Sequence, residues 1–159
     1  MTVQQRLSEL GIELPQAPAP LASYVPTRTV PLGGGRSLVF VAGQIPIQEG
    51  KVDAAYVGRV PDEVDVDAAR EAAKVCALNL LAQVETAGGL DAVEQVASLT
   101  GYVRSAIGFA DQPQVINAAS DLLAAALGEA GQHSRAAVGV AELPRGVAVE
   151  IAAIFVIRS

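Results

Sequence analysis

Two stretches of helical periodicity separate strand-like segments in this chain, and their order limits the folds that it can adopt. The first begins at Asp65 or Asp67, either of which can cap a helix, and ends at Gly88; its apolar stripe is Ala69, Ala73, Cys76, Leu80 and Val84. The second has Pro113 in its first turn and ends at Gly128, with the stripe Ile116, Ala119, Leu123 and Leu127. After a short N-terminal helix the order is β-β-α-β-α-β-β. We therefore predict an α+β fold, one sheet with two helices on one face.

The first two strands are predicted to form a hairpin. Residues 27–32 and 37–43 have strand character, and the three glycines at 33–35 suit the turn between them. Residues 96–103 form a third predicted strand. Between the hairpin and the first long helix, residues 44–64 contain prolines, glycines and scattered charges, so we expect a long irregular loop of the kind that often carries function.

The N-terminal segment differs in character from the rest of the chain. Its apolar residues have the spacing of a short helix that Gly11 ends, and a stiff proline-rich linker follows. We predict that residues 1–19 form a helical arm with this linker and that residues 20–159 form one domain. A chain of 159 residues is long enough for one proper core.

Composition excludes several classes of protein. Eleven Lys and Arg against 17 Asp and Glu give a net charge of −6, which disfavours polyanion binding, so we expect no nucleic-acid partner. The chain has neither a run of about 18 apolar residues nor an apolar signal-peptide core, so we expect no membrane partner. The single cysteine, Cys76, fits a reducing compartment and lies on a helical stripe. We predict a packed core thiol in a soluble, cytoplasmic protein.

The end of the chain contains its most informative charged residues. Arg135 opens one strand-like segment and Glu150 lies within the next, and Leu143-Pro144-Arg145-Gly146 between them is typical of a tight turn. If that turn joins neighbouring strands, Arg135 and Glu150 share one sheet face with small residues such as Ala137. The other face is then an apolar core face of Val138, Val140, Val149, Ile151 and Phe155. Such a small-residue face suits a ligand or a second subunit. A solvated outer face is the alternative, and a slip of one residue would turn Arg135 inward.

Few other residues offer chemistry. The chain has one histidine, so we expect no His-rich metal site, and it lacks the Cys-x-x-Cys, His-Glu-x-x-His and Gly-x-Gly-x-x-Gly motifs. His133 can line a pocket, but a place in a surface loop is the expected one. An arginine can hold a carboxylate through two parallel hydrogen bonds, and a glutamate can orient or deprotonate water. Arg135 and Glu150 therefore suggest chemistry on a small amino-acid-like anion.

Several motifs make the chain resemble a known family. Three features carry the resemblance: V-F-V-A-G-Q-I-P, the helix pair and the closing R-x-x-V-x-V-x-x-L-P-x-x-V-x-V-E-I. They are similar to those of the reactive intermediate deaminase family, also called YjgF/YER057c/UK114-like or endoribonuclease L-PSP. The longer chain resembles a less characterised branch of it. The resemblance implies a chorismate-mutase-like α+β fold and a homotrimer with ligand clefts between subunits. It also implies hydrolysis of 2-imino and enamine acids to 2-keto acids and ammonia, without metal or cofactor.

The resemblance further implies roles for individual residues. Arg135 matches the arginine that holds the substrate carboxylate, and Glu150 matches the acidic residue that positions the attacking water. The implied substrate-binding positions are Tyr24, Gly43, Asn117 and Ala137. Two positions depart from the family pattern, because Ala42 replaces a serine and Ala137 replaces a cysteine. The backbone N–H and C=O groups survive both changes, so carboxylate binding is expected to persist while the imine substrate and its turnover stay open.

Two functions of different classes therefore remain. The first is an enzyme that deaminates a small imino or enamine acid. The second is a non-catalytic trimer that binds a small carboxylate and acts as a metabolite-binding or protein-interaction module. Ribonuclease action, which the family's other name suggests, is disfavoured by the net charge of −6 and by the lack of a basic patch.

Overall fold

One mixed sheet with helices packed against it forms the fold, and the computed structural model describes residues 1–159. The helices are α1 (Val3–Glu9), α2 (Val66–Gly88) and α3 (Gln112–Leu127). The strands are β1 (Thr27–Gly33), β2 (Arg36–Gln44), β3 (Ile47–Gln48), β4 (Lys51–Val52), β5 (Val93–Arg104), β6 (Ser134–Val140) and β7 (Val149–Arg158). Five strands form the main sheet in the order β1-β2-β7-β5-β6, and only β5 and β6 run parallel. The predicted α+β class is confirmed.

The helix ends follow the chemistry expected of them. Asp65 caps α2, because its carboxylate accepts a hydrogen bond from the Ala68 N–H at 2.8 Å. Gly89 and Gly128 follow α2 and α3, and both have a positive φ that other residues rarely adopt. In α1, Leu7 is fully buried and belongs to the same hydrophobic cluster as the sheet and the long helices.

The last two strands do not form the predicted hairpin. Strand β5 lies between β6 and β7, parallel to the first and antiparallel to the second. The connection at 141–148 passes the end of β5, and its Pro144–Gly146 turn is bonded elsewhere: the Gly58 N–H donates to the Gly146 carbonyl, and the Ala148 N–H to the Tyr56 carbonyl, each at 2.8 Å. The turn residues produce a reversal, but not between neighbouring strands.

This topology changes which side chains share a face. Val149, Ile151 and Phe155 are fully buried beneath the helices, as predicted. Val138 is not part of that core, because it is 42% exposed on the side of the sheet opposite α2 and α3. We call that side the open face. Phe40 of β2, 40% exposed between two buried valines, also lies there.

The 44–64 segment is more ordered than expected. It contains the short β3–β4 hairpin and a single helical turn at Ala54–Tyr56. The buried side chain of Asn79 on α2 donates to the carbonyls of Ile45 and Ile47, at 3.1 and 2.9 Å, and so attaches this segment to the helix. None of the helices combines the length and the apolar character that crossing a membrane requires.

Candidate functional site

The six residues expected at the site fall into two groups on opposite faces of the sheet. Glu150 alternates with the buried residues of β7 and therefore lies on the open face. Arg135 pairs in the sheet with Leu99, which pairs in turn with Ala153. Leu99 and Ala153 are buried beneath the helices, so Arg135 lies on the helix-covered face of the sheet. The predicted shared face of Arg135 and Glu150 is therefore wrong. The inserted strand β5 is the reason, because the two residues do not belong to adjacent strands.

Glu150, Gly43 and Tyr24 form the first group, around an open cleft of about 510 Å³ that we call the acidic cleft. Its other lining residues are Leu21, Ala22, Ala42, Ile45, Pro144 and Arg145. A Cβ atom on Gly43 would stand 2.5 Å from Oε1 of Glu150. Position 43 therefore has no space for a side chain while the carboxyl group of Glu150 occupies this place.

Burial controls the acid–base character of Glu150. The side chain is half-buried, and burial raises its pKa above the ordinary carboxyl value. No ion pair within the chain offsets this effect. A carboxylate whose pKa is raised towards neutrality accepts a proton from water more readily than an ordinary one. Glu150 is therefore suited to orient or deprotonate water in the cleft.

This raised pKa gives a stability prediction. The charged form is disfavoured in the folded chain, so folding is favoured most when Glu150 is protonated, and that contribution is lost as pH rises through the raised pKa. Glu150→Gln cannot titrate. We expect the thermal midpoint of this variant to equal that of the wild type at about pH 4 and to be higher than that of the wild type at about pH 7. Thermal unfolding without ligand across this range measures the difference; a variant less stable than the wild type at the upper end would contradict it.

The segment that directly follows the N-terminal arm forms one wall of the acidic cleft, through Leu21, Ala22 and Tyr24. Gln83 on α2 is 2% exposed and donates through Nε2 to the Pro18 carbonyl at 2.7 Å. Beyond this attachment the chain turns at Leu21, whose N–H lies 3.4 Å from the hydroxyl of Tyr24. Tyr24 is 45% exposed, so part of its ring and hydroxyl remains available to a ligand.

Arg135, Asn117 and Ala137 form the second group, which we call the arginine cluster. Arg135 donates through Nη1 to the Ser120 hydroxyl at 3.1 Å and through Nη2 to the Pro113 carbonyl at 3.3 Å. Pro113, Asn117 and Ser120 are four and three residues apart and share one face of α3, so Asn117 lies between the two attachment points. Three of the five guanidinium N–H groups stay free, enough for two parallel bonds to a carboxylate.

Two further residues bond to the arginine cluster: Ser120, which sequence reasoning missed, and His133, for which it favoured a surface loop over a pocket. Ser120 contacts Arg135 directly, and His133 contacts Ser120 through Nε2 at 2.9 Å. His133 lies in the loop before β6, as expected, but its imidazole is half-buried and bonded at both nitrogens. Ser120 could have been found from the helical spacing that it shares with Asn117, whereas no local pattern joins it to His133.

Cys76 takes no part in either group. It is fully buried in the core, and burial raises the pKa of its thiol well above the ordinary value. Its Sγ lies 3.7 Å from the Val149 carbonyl. It is the packed core thiol that its helical stripe predicts.

Comparisons with known proteins agree with the α+β fold. The family model described as "YjgF/chorismate_mutase-like, putative endoribonuclease" matches residues 4–151. Protein TCP17 of Trypanosoma cruzi is 40% identical over 154 residues, which are 96% of this chain and 92% of that protein. A crystal structure of a protein of unknown function from Agrobacterium tumefaciens is 43% identical, with a TM-score of 0.85 over 99% of this chain and 93% of its own. E. coli TdcF with bound serine is 29% identical, with a TM-score of 0.62 over 91% of this chain and 94% of its own.

Proposed function

Because this chain belongs to the YjgF/chorismate mutase-like family, we propose that it hydrolyses a small 2-imino or enamine carboxylic acid to a 2-keto acid and ammonia, in a cleft between two copies of the chain. The observation that carries the proposal is the separation of Arg135 from Glu150 on opposite sheet faces. Within one chain, Arg135, which is to hold the carboxylate, cannot meet Glu150, which is to orient the water. A second copy that brings its arginine cluster to the acidic cleft completes the site.

The exposed apolar residues of the open face support such an assembly. Phe40 and Val138 are 40% and 42% exposed there, and burying apolar surface between copies favours association by about 25 cal/mol per Å² of apolar area. A closed ring of identical subunits repeats the same interface at every cleft. We propose a homotrimer, in which each cleft takes Arg135 from one subunit and Glu150 from the next.

The charges of the two groups support the proposed substrate class. The free N–H groups of Arg135 match the two oxygens of one carboxylate, and the half-buried Glu150 is suited to a water molecule. The bound serine in E. coli TdcF is an amino acid, with a carboxylate one carbon from its nitrogen. A 2-imino acid has this same arrangement, so the likeness supports a ligand of that kind here.

The proposed reaction adds water to the imine carbon and expels ammonia, with Glu150 carrying the protons. Glu150 takes a proton from water as the oxygen bonds to the imine carbon, and it gives that proton to the imine nitrogen. The resulting tetrahedral adduct has a hydroxyl and an amino group; as its C–N bond breaks, the hydroxyl proton passes by way of Glu150 to the amino nitrogen, so that the oxygen forms the keto group and the nitrogen leaves as ammonia. Burial raises the pKa of Glu150, which helps the same carboxyl group to accept and return the proton.

Two departures from the family pattern favour the alternative, a trimer that binds a carboxylate without transforming it. Ala42 lines the acidic cleft, and Ala137 follows Arg135 on the same face of β6, so a hydroxyl and a thiol are lost from the two halves of the site. The main-chain groups at both positions remain. We favour hydrolysis because the residues assigned to the carboxylate and to the water are both present.

Ammonia release from freshly generated 2-iminopropanoate tests the reaction, with the buffer rate as reference. Turnover by the wild type supports the enzyme, whereas thermal stabilisation by pyruvate without turnover supports the binding module.

Mixed subunits test the shared cleft. Arg135→Ala and Glu150→Gln subunits, each inactive alone, are expected to regain about one quarter of wild-type activity when co-assembled in equal amounts, because one cleft in four then receives both intact residues. Hetero-oligomers that form and stay inactive would reject a site built from two chains.

A further inference from the structure

A chain of hydrogen bonds connects Arg135 to the only histidine of the protein. Arg135 Nη1 lies 3.1 Å from Ser120 Oγ, which lies 2.9 Å from His133 Nε2. On the far side of the ring, His133 Nδ1 lies 2.7 Å from the Gly131 carbonyl oxygen. The three groups come from α3, β6 and the segment between them, so the contacts join elements that are separate in the sequence.

When the imidazole is neutral, the chemistry of the two ends fixes the direction of every bond between them. A guanidinium only donates, so the oxygen of Ser120 accepts from Arg135 and its own hydrogen is free to donate to His133 Nε2. A carbonyl oxygen only accepts, so Nδ1 of His133 carries the hydrogen that faces Gly131. One neutral form of the imidazole satisfies both conditions, with a proton on Nδ1 and none on Nε2.

We propose that Ser120 and His133 are positioning residues for Arg135, and that the Nδ1-protonated imidazole orients the Ser120 hydroxyl so that its oxygen fixes one arm of the guanidinium. The inference rests on the proposed role of Arg135 as the carboxylate anchor. The Pro113 carbonyl fixes the other arm, so the guanidinium plane is held at two points and its three remaining N–H groups need little reordering when a carboxylate binds.

The alternative is that Ser120 and His133 only join the middle of α3 to the segment that precedes β6. A stability role of that kind predicts a lower thermal midpoint in the variants, with unchanged ligand affinity per folded molecule. A positioning role predicts weaker carboxylate binding, because Arg135 loses an attachment that holds it ready. Turnover of the bound substrate then changes little, since Ser120 and His133 do not touch the reacting atoms.

The first experiment reads the imidazole directly. Because His133 is the only histidine, the imidazole ¹⁵N spectrum of protein without an affinity tag contains a single ring. At about pH 8, where an ordinary imidazole is neutral, we expect a protonated Nδ1 and an unprotonated Nε2. The Nε2 signal should shift in Ser120→Ala and when pyruvate is added. A proton on Nε2 in the wild type overturns the proposed bond direction, and with it the inference.

The second experiment measures KM and kcat separately. Ser120→Ala and His133→Phe are expected to raise KM for 2-iminopropanoate, or the pyruvate dissociation constant, by about 2- to 10-fold, the effect of one lost hydrogen bond, with kcat within about 2-fold. Ser120→Thr keeps a hydroxyl and should restore most of the affinity.

Ser134→Ala is the matched control. Ser134 is next to Arg135 in sequence, but its hydroxyl donates to the Ala97 carbonyl at 2.8 Å and makes no hydrogen bond to the guanidinium, so its removal should leave KM unchanged. A folded Ser120→Ala protein with wild-type KM overturns the inference while the proposed function stands. If the wild type neither hydrolyses imines nor binds carboxylates, the proposed function fails and the positioning role fails with it, whatever the imidazole spectrum shows.

Discussion

Arg135→Ala is expected to weaken binding of 2-imino and 2-keto carboxylates by about 10²- to 10⁴-fold. The guanidinium has three free N–H groups, and a carboxylate held by two of them gains two charge-assisted hydrogen bonds, each of about 1.5 to 3 kcal/mol. Alanine removes both bonds and the positive charge. The loss should be seen in kcat/KM for ammonia release and in the thermal stabilisation produced by pyruvate.

Two further substitutions define what the arginine contributes. Arg135→Lys keeps the charge but not the planar pair of donors, so we expect affinity between that of the wild type and that of Arg135→Ala. Arg59→Ala is the matched control, because Arg59 is exposed, pairs with Glu63 and lies outside both groups of site residues. Carboxylate affinity that survives Arg135→Ala, or that falls equally in Arg59→Ala, would reject Arg135 as the residue that holds the carboxylate.

Glu150→Gln is expected to reduce kcat by about 10²- to 10⁴-fold while KM changes little. The amide occupies nearly the same volume beside Gly43, so the cleft keeps its shape, but it cannot take a proton from water. Since Arg135 still holds the carboxylate, binding is preserved. Initial rates of ammonia release over a range of substrate concentrations separate the two parameters.

The control for Glu150→Gln is the same substitution at an exposed glutamate of the arm, Glu13→Gln, which should leave both parameters at wild-type values. Wild-type kcat in Glu150→Gln would remove the glutamate from the reaction. A large rise in KM with constant kcat would instead make it a binding residue.

Much of the fold could be predicted because its signals are local. Each long helix has an apolar stripe, a residue suited to its N-terminus and a glycine at its end, and these signals lie within the helix and its immediate flanks. The family resemblance drawn from the sequence motifs is confirmed, and so is the α+β class that both lines of reasoning predicted. The order within the 44–64 segment was not predicted, because the Asn79 side chain that attaches it comes from α2, outside the segment.

The hairpin prediction failed because turn chemistry is local and strand pairing is not. Pro144 and Gly146 mark a reversal correctly, but nothing near them indicates that β5, some forty residues earlier, pairs with β6 on one side and β7 on the other. The error placed Arg135 and Glu150 on one sheet face, whereas the actual pairing places them on opposite faces. The two residues were selected from the strand and turn pattern, the resemblance gave them separate roles, and these roles remain predictions.

The contacts within the arginine cluster show a second limit. Ser120 and His133 are 13 residues apart on either side of a helix end, and their bond depends on how α3 lies against β6. Periodicity places Ser120 on a helix face with Asn117, but it does not identify the strand residue that the face meets.

The contact between Gly43 and Glu150 has a consequence for how such chains diverge. A side chain at position 43 would displace the carboxyl group of Glu150 from its place, since a Cβ at 43 would lie 2.5 Å from Oε1. Glycine at 43 is therefore required as long as the carboxyl group keeps this position. A substitution that shortens the side chain at position 150 removes the group that orients the water. The same substitution removes the steric constraint that requires glycine at position 43. In a lineage that has abandoned this chemistry, a bulkier residue at 43 would be its visible mark.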